Sequence, residues 1–535
     1  MSLYKEWNRR QFLQFMGKNS ALLSGISILS SSCMKSSGAV TDISIKSLAP
    51  DLNDQVSLIK DLNYSVLVSW NDPIAKDKTF GFNCDYINYV SLSKDNKSLF
   101  FMVNNEYPND KYVSGYFEGK KTKAQADLEQ QSVGCSLFKA DEVSPGKWQV
   151  DQNYKYNRRI DGQTKIPFAG GKTIHKKNYA IGTLGNCAGG KTPWNSFLTC
   201  EENYQDYYGE RDSKTGKINK DNPYYATQWE TIYGYPPEHY GWVVEINPLS
   251  SDPGKKLTSL GRFAHESATV TQAKDGRCIV YMGDDKENEF IYKFIADKTN
   301  SLETGTLYVA DTKNNQWLPL TLNNSKLKQT YKNQLDILIH TREAARMIGA
   351  TPQDRPEDVE LDQDGNVYIA LTKNGQTNNP HGSILKITEN NNDPLSLSFK
   401  HETFIAGGEK TGFACPDNIE FDPKGNLWFT TDISGHNVGK GAYKAFGNNG
   451  LFVVLKEGPQ AGLPIQVASA PIDAEFTGPK FSPDGKTLFL SVQHPGEMTQ
   501  DLSKPTSHWP EGGEAHPKPS VICISGPFLN KISAV

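Results

Sequence analysis

Three segments in the carboxy-terminal half share one arrangement of apolar and polar positions: VELDQDGNVYIALT, IEFDPKGNLWFTTD and PKFSPDGKTLFLSV. In each, a short strand with alternating apolar residues runs into a turn carrying Asp, Lys or Gly, and a second strand rich in β-branched and aromatic residues follows. The turn glycines, Gly365, Gly425 and Gly485, are spaced 60 residues apart. Fainter copies are YVSLSKDNKSLFFMVN and VTQAKDGRCIVYMGDD, with HKKNYAIGTLGN as a sixth candidate. Asp-Gly or Lys-Gly supplies the positive backbone dihedrals of a tight hairpin, and the alternation gives each hairpin one buried face. A lone hairpin is unstable in water. Repetition at this length therefore predicts an all-β chain whose blades pack radially, a β-propeller with long inter-strand loops gathered at one mouth. Two β-sandwiches in tandem would use the same strands. DQDGN also matches part of a calcium loop, but the ligand at the twelfth position is missing, so it is assigned as a plain turn.

Composition narrows the class. The chain has 535 residues, 37% hydrophobic and 22% charged, which suits a strand- and turn-rich protein with a substantial core. A formal net charge of −4 gives no electrostatic basis for a nucleic-acid partner. No segment approaches the roughly 20 apolar residues of a membrane span, and a closed propeller with polar strands needs no partner, so a monomer is expected.

The first residues have the form of an address. NRRQFLQFMG carries Arg9 and Arg10 ahead of Phe12 and Leu13, and the modestly apolar run ALLSGISILSSSC follows. This resembles a twin-arginine export signal, although Asn8 replaces the commoner Ser or Thr and Lys18 interrupts the apolar stretch. An amphipathic amino-terminal helix would have a similar pattern. Residues 1–40 are assigned to this signal, with Cys33 as a lipid-attachment candidate in a linker, and 41–535 to a single propeller domain. The twin-arginine translocase would be a partner during export, and the destination would be the periplasm or cell surface. In that oxidising setting disulfides would account for Cys84, Cys135, Cys278, Cys415 and Cys523. The twin-arginine route carries folded proteins, however, so a thiolate already bound to metal would be protected.

Carboxylates gather just outside the apolar strands: Glu106, Glu201, Glu202, Glu266, Asp284, Asp285, Glu357, Asp358, Asp417, Asp432 and Glu475. Singly, each is a solvated loop charge. Strands of a propeller end at a common mouth, so acids at equivalent ends converge and repel unless cations hold them. Hard oxygen donors favour calcium, magnesium or ferric iron, and ten His without an HExxH motif argue against a histidine-rich zinc site. NCAGGKTPWNSFLTCEEN sets Cys187 and Cys200 near these acids, either as a disulfide-tied turn or as a site with a thiolate ligand. In DRPEDVE, Arg355 lies two positions before Glu357, so on an extended segment both side chains point the same way. A guanidinium beside metal-binding acids suits phosphate recognition through two parallel hydrogen bonds, and it equally suits a structural Arg–Glu pair.

Together, the export signal, NCAGGKTPWNSFLTCEEN, GRFAHES, MGDDKENEFIYKF, RPEDVE, PDNIEFDPKGNLWFTTD and EFTGPKFSPDGKTLFLSVQHPGE resemble the PhoX-type alkaline phosphatases, in family order from about Asn104 to Glu497. The resemblance implies a six-bladed propeller whose mouth holds a pair of ferric ions, several calcium ions and a bridging oxide, and which hydrolyses phosphate monoesters outside the cytoplasm. It implies that Cys187 is the thiolate ligand of iron, that Glu266 and Glu357 are carboxylates close to iron, and that Glu202 belongs to the cluster. Asp417, Glu475, Glu106 and Asp284 would bind calcium, Arg355 would grip the phosphoryl group, and Lys293 would contact phosphate.

The chain departs from the family in three places. Asn104-Asn105-Glu106 stands where Asn-His-Glu is common, Asn195-Ser196-Phe197 where Gly-Thr-Trp is usual, and the polar insert from Asp206 to Trp242 could reshape access to the mouth. The implied mechanism is phosphoryl transfer by metals and Arg355 with a metal-held nucleophile, and no GxSxG elbow supports a serine route. A calcium propeller lactonase or organophosphatase would share the fold and acids without needing a thiolate. A binding propeller that uses calcium only to fix its loops is the third alternative.

Overall fold

The repeated hairpins fold as the two innermost strands of separate antiparallel sheets in the computed structural model, which describes residues 45–219 and 227–535. Six such sheets form the blades of a propeller. Their inner strands, in chain order, are Cys84–Ser91, Asn186–Lys191, His265–Gln272, Pro356–Leu361, Pro416–Phe421 and Glu475–Phe481. Each inner strand lies against that of the next blade, and the sixth returns to the first. The ring is closed from both ends of the chain: Asn63–Ser69 pairs antiparallel with Ser520–Ser525 at the outer side of blade six. Ser57–Leu58 adds an edge strand to blade five. Pairing the chain's two ends removes an open seam, which a ring of sheets would otherwise expose. The compact unit is Ser44–Val535. The arginine pair, the apolar run and Cys33 fall outside the described residues.

The turn joining the two inner strands is built the same way in all six blades. In blade four the Gly365 amide donates to the Asp362 carbonyl at 3.0 Å, and Asp362 Oδ1 accepts from the amides of Asp364 and Asn366. Asp422 does the same in blade five. Only the glycine has a positive φ, 80° at Gly365 and 83° at Gly425. The turn is therefore a type I turn followed by one left-handed residue, rather than a two-residue hairpin. Asn96 and Asn195 fill this position in blades one and two, with φ of 58° and 62°. This moves one expected repeat. HKKNYAIGTLGN contributes Tyr179–Ile181, which pairs with Lys165–Pro167 in a two-stranded ribbon outside the blades, and only its last residue, Asn186, enters a blade. The hairpin of blade two is instead the Cys187 segment itself, with Asn195 as the left-handed residue.

Apolar faces of adjacent blades stack on one another and form the core between them. Phe101, Phe138 and Phe489 meet between blades one and six, Tyr281, Ile369 and Leu385 between three and four, and Ile384, Phe429 and Phe452 between four and five. What positions the site is a break in register near the start of every inner strand, between Cys84 and Ile87, Asn186 and Gly189, Glu266 and Thr269, Pro356 and Val359, Pro416 and Ile419, and Thr477 and Lys480. A bulge bends its strand and re-aims side chains. Six of them lie around one mouth.

Candidate metal centre

Side chains beside these bulges line a single cavity of about 450 Å³: Asp85, Cys187, Glu266, Glu357, Asp417 and Glu475, one from each blade in order. Loops add Glu106, Glu202, Asp285 and Asp432. Donor atoms of Asp85, Glu106 and Cys187 lie within 4.8 Å of one another, as do those of Cys187, Glu202 and Glu266. Cys187 belongs to both groups. Its Sγ donates to Asp85 Oδ2 at 3.1 Å, and its loop is fixed by Asn104, whose amide donates to the carbonyls of Cys187 and Ala188 at 2.6 and 2.8 Å. Gln493 Nε2 ties the first group together, donating to Asp85 at 2.8 Å and Glu106 at 3.0 Å. Cys200 sits on the neighbouring strand of blade two but packs into the apolar core, and both thiols are free, as are Cys84, Cys135, Cys278, Cys415 and Cys523, which form none of the expected disulfides.

The donor set suits hard cations with one thiolate-tolerant metal. Both carboxylate oxygens of Glu266, Oδ1 of Asp85 and Oε2 of Glu475 are buried without a hydrogen-bond partner. Natural folds seldom leave such atoms unsatisfied, so their convergence points to ions. Burial, and then the charge of Glu357, drives the Glu266 carboxyl well above the carboxylate range. Burial first and neighbouring acids second do the same to Asp85, Glu202 and Asp417, while Glu475 rises to about 8 through burial and Asp432. Burial, followed by Asp85, pushes the Cys187 thiol up as well. Cations would reverse every one of these shifts, because they favour the ionised donor.

Arg355 enters the cavity from a left-handed backbone, φ 55°, rather than from an extended one. Its Nε and Nη2 form a fork on Asp285 at 2.7 and 2.6 Å, and Nη2 also meets Glu357 at 2.8 Å. The side chains of Arg355 and Glu357 do converge, through the strained residue and not through strand alternation. The bidentate edge is already occupied. Nη1 is the uncommitted end, with Asp432 at 3.9 Å.

Two expected site residues are placed elsewhere. Lys293 lies mid-strand in blade three, fully buried, with Nζ on Glu389 at 2.6 Å and the Ser396 carbonyl at 2.7 Å, so it supports the interface with blade four and does not line the cavity. Asp284 is gripped by Arg342 from the helix Thr341–Ile348, and its neighbour Asp285 faces the cavity instead. Glu201 and Glu202 divide in the same manner. Glu201 is buried against Lys256 at 2.6 Å, and Glu202 lines the site. Asn105 lies outside the cavity lining, bonded to Ser136 and Arg159, so the residue replacing the common His does not touch the site. No described residue of the insert from Asp206 to Trp242 lines the cavity. It builds an aromatic cluster of Tyr207, Tyr208, Trp229 and Tyr240, and Tyr207 braces the carbonyl of Glu106 at 3.0 Å. Asp85, Gln493 and His494 are the site residues that sequence reasoning missed. Asp85 and His494 were readable, Asp85 as an acid next to Cys84 at a strand start and His494 in VQHPGE, where it meets Glu475 at 3.1 Å.

The family described as Alkaline phosphatase PhoX matches residues 43–496. Among solved structures, Pseudomonas fluorescens PhoX in complex with vanadate, a transition state analogue, is 29% identical, with a TM-score of 0.80 over 91% of this chain and 99% of that one. A protein of unknown function from Dyadobacter fermentans is 10% identical, with a TM-score of 0.38 over 88% of this chain and 100% of its own. No curated protein sequence matches at comparable significance.

Proposed function

Because the chain belongs to the alkaline phosphatase PhoX family and is a phosphatase, we propose that it hydrolyses phosphate monoesters in this cavity with a pair of ferric ions and several calcium ions. Cys187, Glu202, Glu266 and Glu357 would hold the iron, and Asp417, Glu475, Glu106 and Asp85 the calcium. The observation that carries this is Cys187, shared by two groups of metal-competent donors in a cavity that also presents Arg355. When bound, the cations would supply positive charge and Lewis acidity toward the phosphoryl oxygens.

The chain's own residues do the positioning. Asp285 locks the Arg355 fork, so Nη1 is presented in a fixed direction and can donate to a phosphoryl oxygen without first being ordered. Gln493 keeps Asp85 and Glu106 side by side, and His494 steadies Glu475. Export by the twin-arginine translocase, with Arg9 and Arg10 as its motif and Cys33 as a lipid-attachment point, would deliver the monomer already loaded to the periplasm or cell surface. Proteins of this family are extracytoplasmic, and no helix among the described residues is long and apolar enough to cross a membrane.

The test is p-nitrophenyl phosphate hydrolysis before chelation, after it, and with calcium restored, beside the iron content of Cys187→Ala. Loss of turnover on chelation, its return with calcium, and depleted iron in the folded variant are expected. Turnover indifferent to chelation would overturn the metal mechanism, and an iron-replete Cys187→Ala would overturn the thiolate.

A further inference from the structure

The chain climbs out of the site between Glu106 and Lys111. Glu106, Tyr107 and Pro108 are buried, whereas Asn109, Asp110 and Lys111 are half-buried, and all six line the cavity. At the top of this climb the Lys111 ammonium is held by neutral acceptors alone, the Thr499 carbonyl at 2.9 Å and the carbonyl and Oε1 of Gln500 at 3.3 Å. Three other charged groups of the lining have partners of opposite charge. Asp110 is matched by the buried Lys121 at 3.0 Å, Arg355 by Asp285, and His494 by Glu475. His436 stands exposed on the same lining. The cavity thus has an acidic floor and, at its outer end, a lysine whose charge no carboxylate answers among the described residues.

Hydrolysis at the floor directs the leaving group toward this outer end, because the phosphoryl group occupies the inner one. We propose that Lys111 is a specificity-determining residue that binds a second anionic group, carboxylate or phosphate, on the leaving group of the ester. The inference rests on the phosphatase activity of the same cavity. A strut that only ties the helix Asp110–Ser114 to the 498–500 loop would need no charged residue on the cavity lining.

Glycerol 3-phosphate and 3-phosphoglycerate are close to isosteric and differ by one carboxylate, and fructose 1,6-bisphosphate carries a second phosphate. In Lys111→Met of the full, metal-loaded chain, KM for 3-phosphoglycerate and fructose 1,6-bisphosphate should rise roughly threefold to fivefold, the scale of one partly solvated ion pair. KM for glycerol 3-phosphate and every kcat should stay within about twofold of the parent, and Lys111→Arg should restore the preference. A rise for only one of these two esters identifies which second anion is recognised. In the parent protein, added salt should weaken the two esters with a second anionic group more than glycerol 3-phosphate, a reading that does not depend on how the variant folds. Equal KM changes for all three esters, together with equal salt dependence, would overturn the role and leave the phosphatase intact. Absence of turnover with any ester would overturn both.

Discussion

Replacing Arg355 with Lys keeps the positive charge and removes the fork, so it separates geometry from charge. Arg355 makes two hydrogen bonds to Asp285 and one contact to Glu357, and offers Nη1 to the cavity. A lysine ammonium can satisfy one carboxylate as a point charge but cannot hold Asp285 and present a second fixed donor at once. The substrate therefore loses one charge-assisted hydrogen bond, worth about 1.5–3 kcal/mol, which converts to roughly a 10- to 150-fold fall in kcat/KM. The backbone at φ 55° is equally strained for both residues, so stability should change little from that source. The assay is initial-rate hydrolysis of p-nitrophenyl phosphate at alkaline pH, with iron and calcium quantified in the same samples. A variant that carries the parent's metals and stays within threefold of its kcat/KM would refute the assignment of Arg355 to the phosphoryl group.

Two further expectations concern residues outside the site. Lys293→Met leaves Glu389 buried without its cation, a change that costs about 3–5 kcal/mol when a buried pair is broken. The urea midpoint should fall while kcat/KM of the folded protein stays at the parent value, and an unchanged midpoint with a raised KM would return Lys293 to the phosphate site. Burial holds the His239 pKa down to about 4, so the folded state resists a proton that the unfolded chain accepts at its ordinary value. Its contribution is intact above about pH 6.5 and is lost as pH falls toward 4. His239→Phe should flatten the decline in urea midpoint between those values, and an acid limb as steep as the parent's would assign the decline to other groups.

The blades were legible where the turn is spelled with glycine, at Gly365, Gly425 and Gly485. They blurred where asparagine takes the left-handed position, because Asn195 in TPWNSF does not look like Asp-Gly although it has the same backbone. The cysteine and most of the carboxylates that line the cavity could be found because they sit at strand ends. Adjacent acids were harder. Side chains alternate across a strand, so of Glu201 and Glu202, or Asp284 and Asp285, only one can face the mouth. The choice is made by a distant cation, Lys256 for Glu201 and Arg342 for Asp284, the latter on a helix that no strand pattern announces. Lys293 differs for a related reason. It is registered opposite Tyr281 on the third strand of its blade, and its ammonium turns to Glu389 of the next blade rather than to the mouth.

The same bulges explain why so acidic a site is tolerated. A regular inner strand would send alternate side chains toward the channel at fixed height. The register break instead lets Asp85, Cys187, Glu357 and Asp417 turn into one cavity from four blades while the strands beyond stay paired and apolar between blades. Blade packing therefore does not depend on the mouth. The cost is local and falls on buried carboxylates such as Glu266, whose charge burial and the neighbouring acids disfavour. Cations that bind the native mouth and not the unfolded chain stabilise the native state by mass action. Metal binding at the mouth would therefore be coupled to the stability of the fold around it.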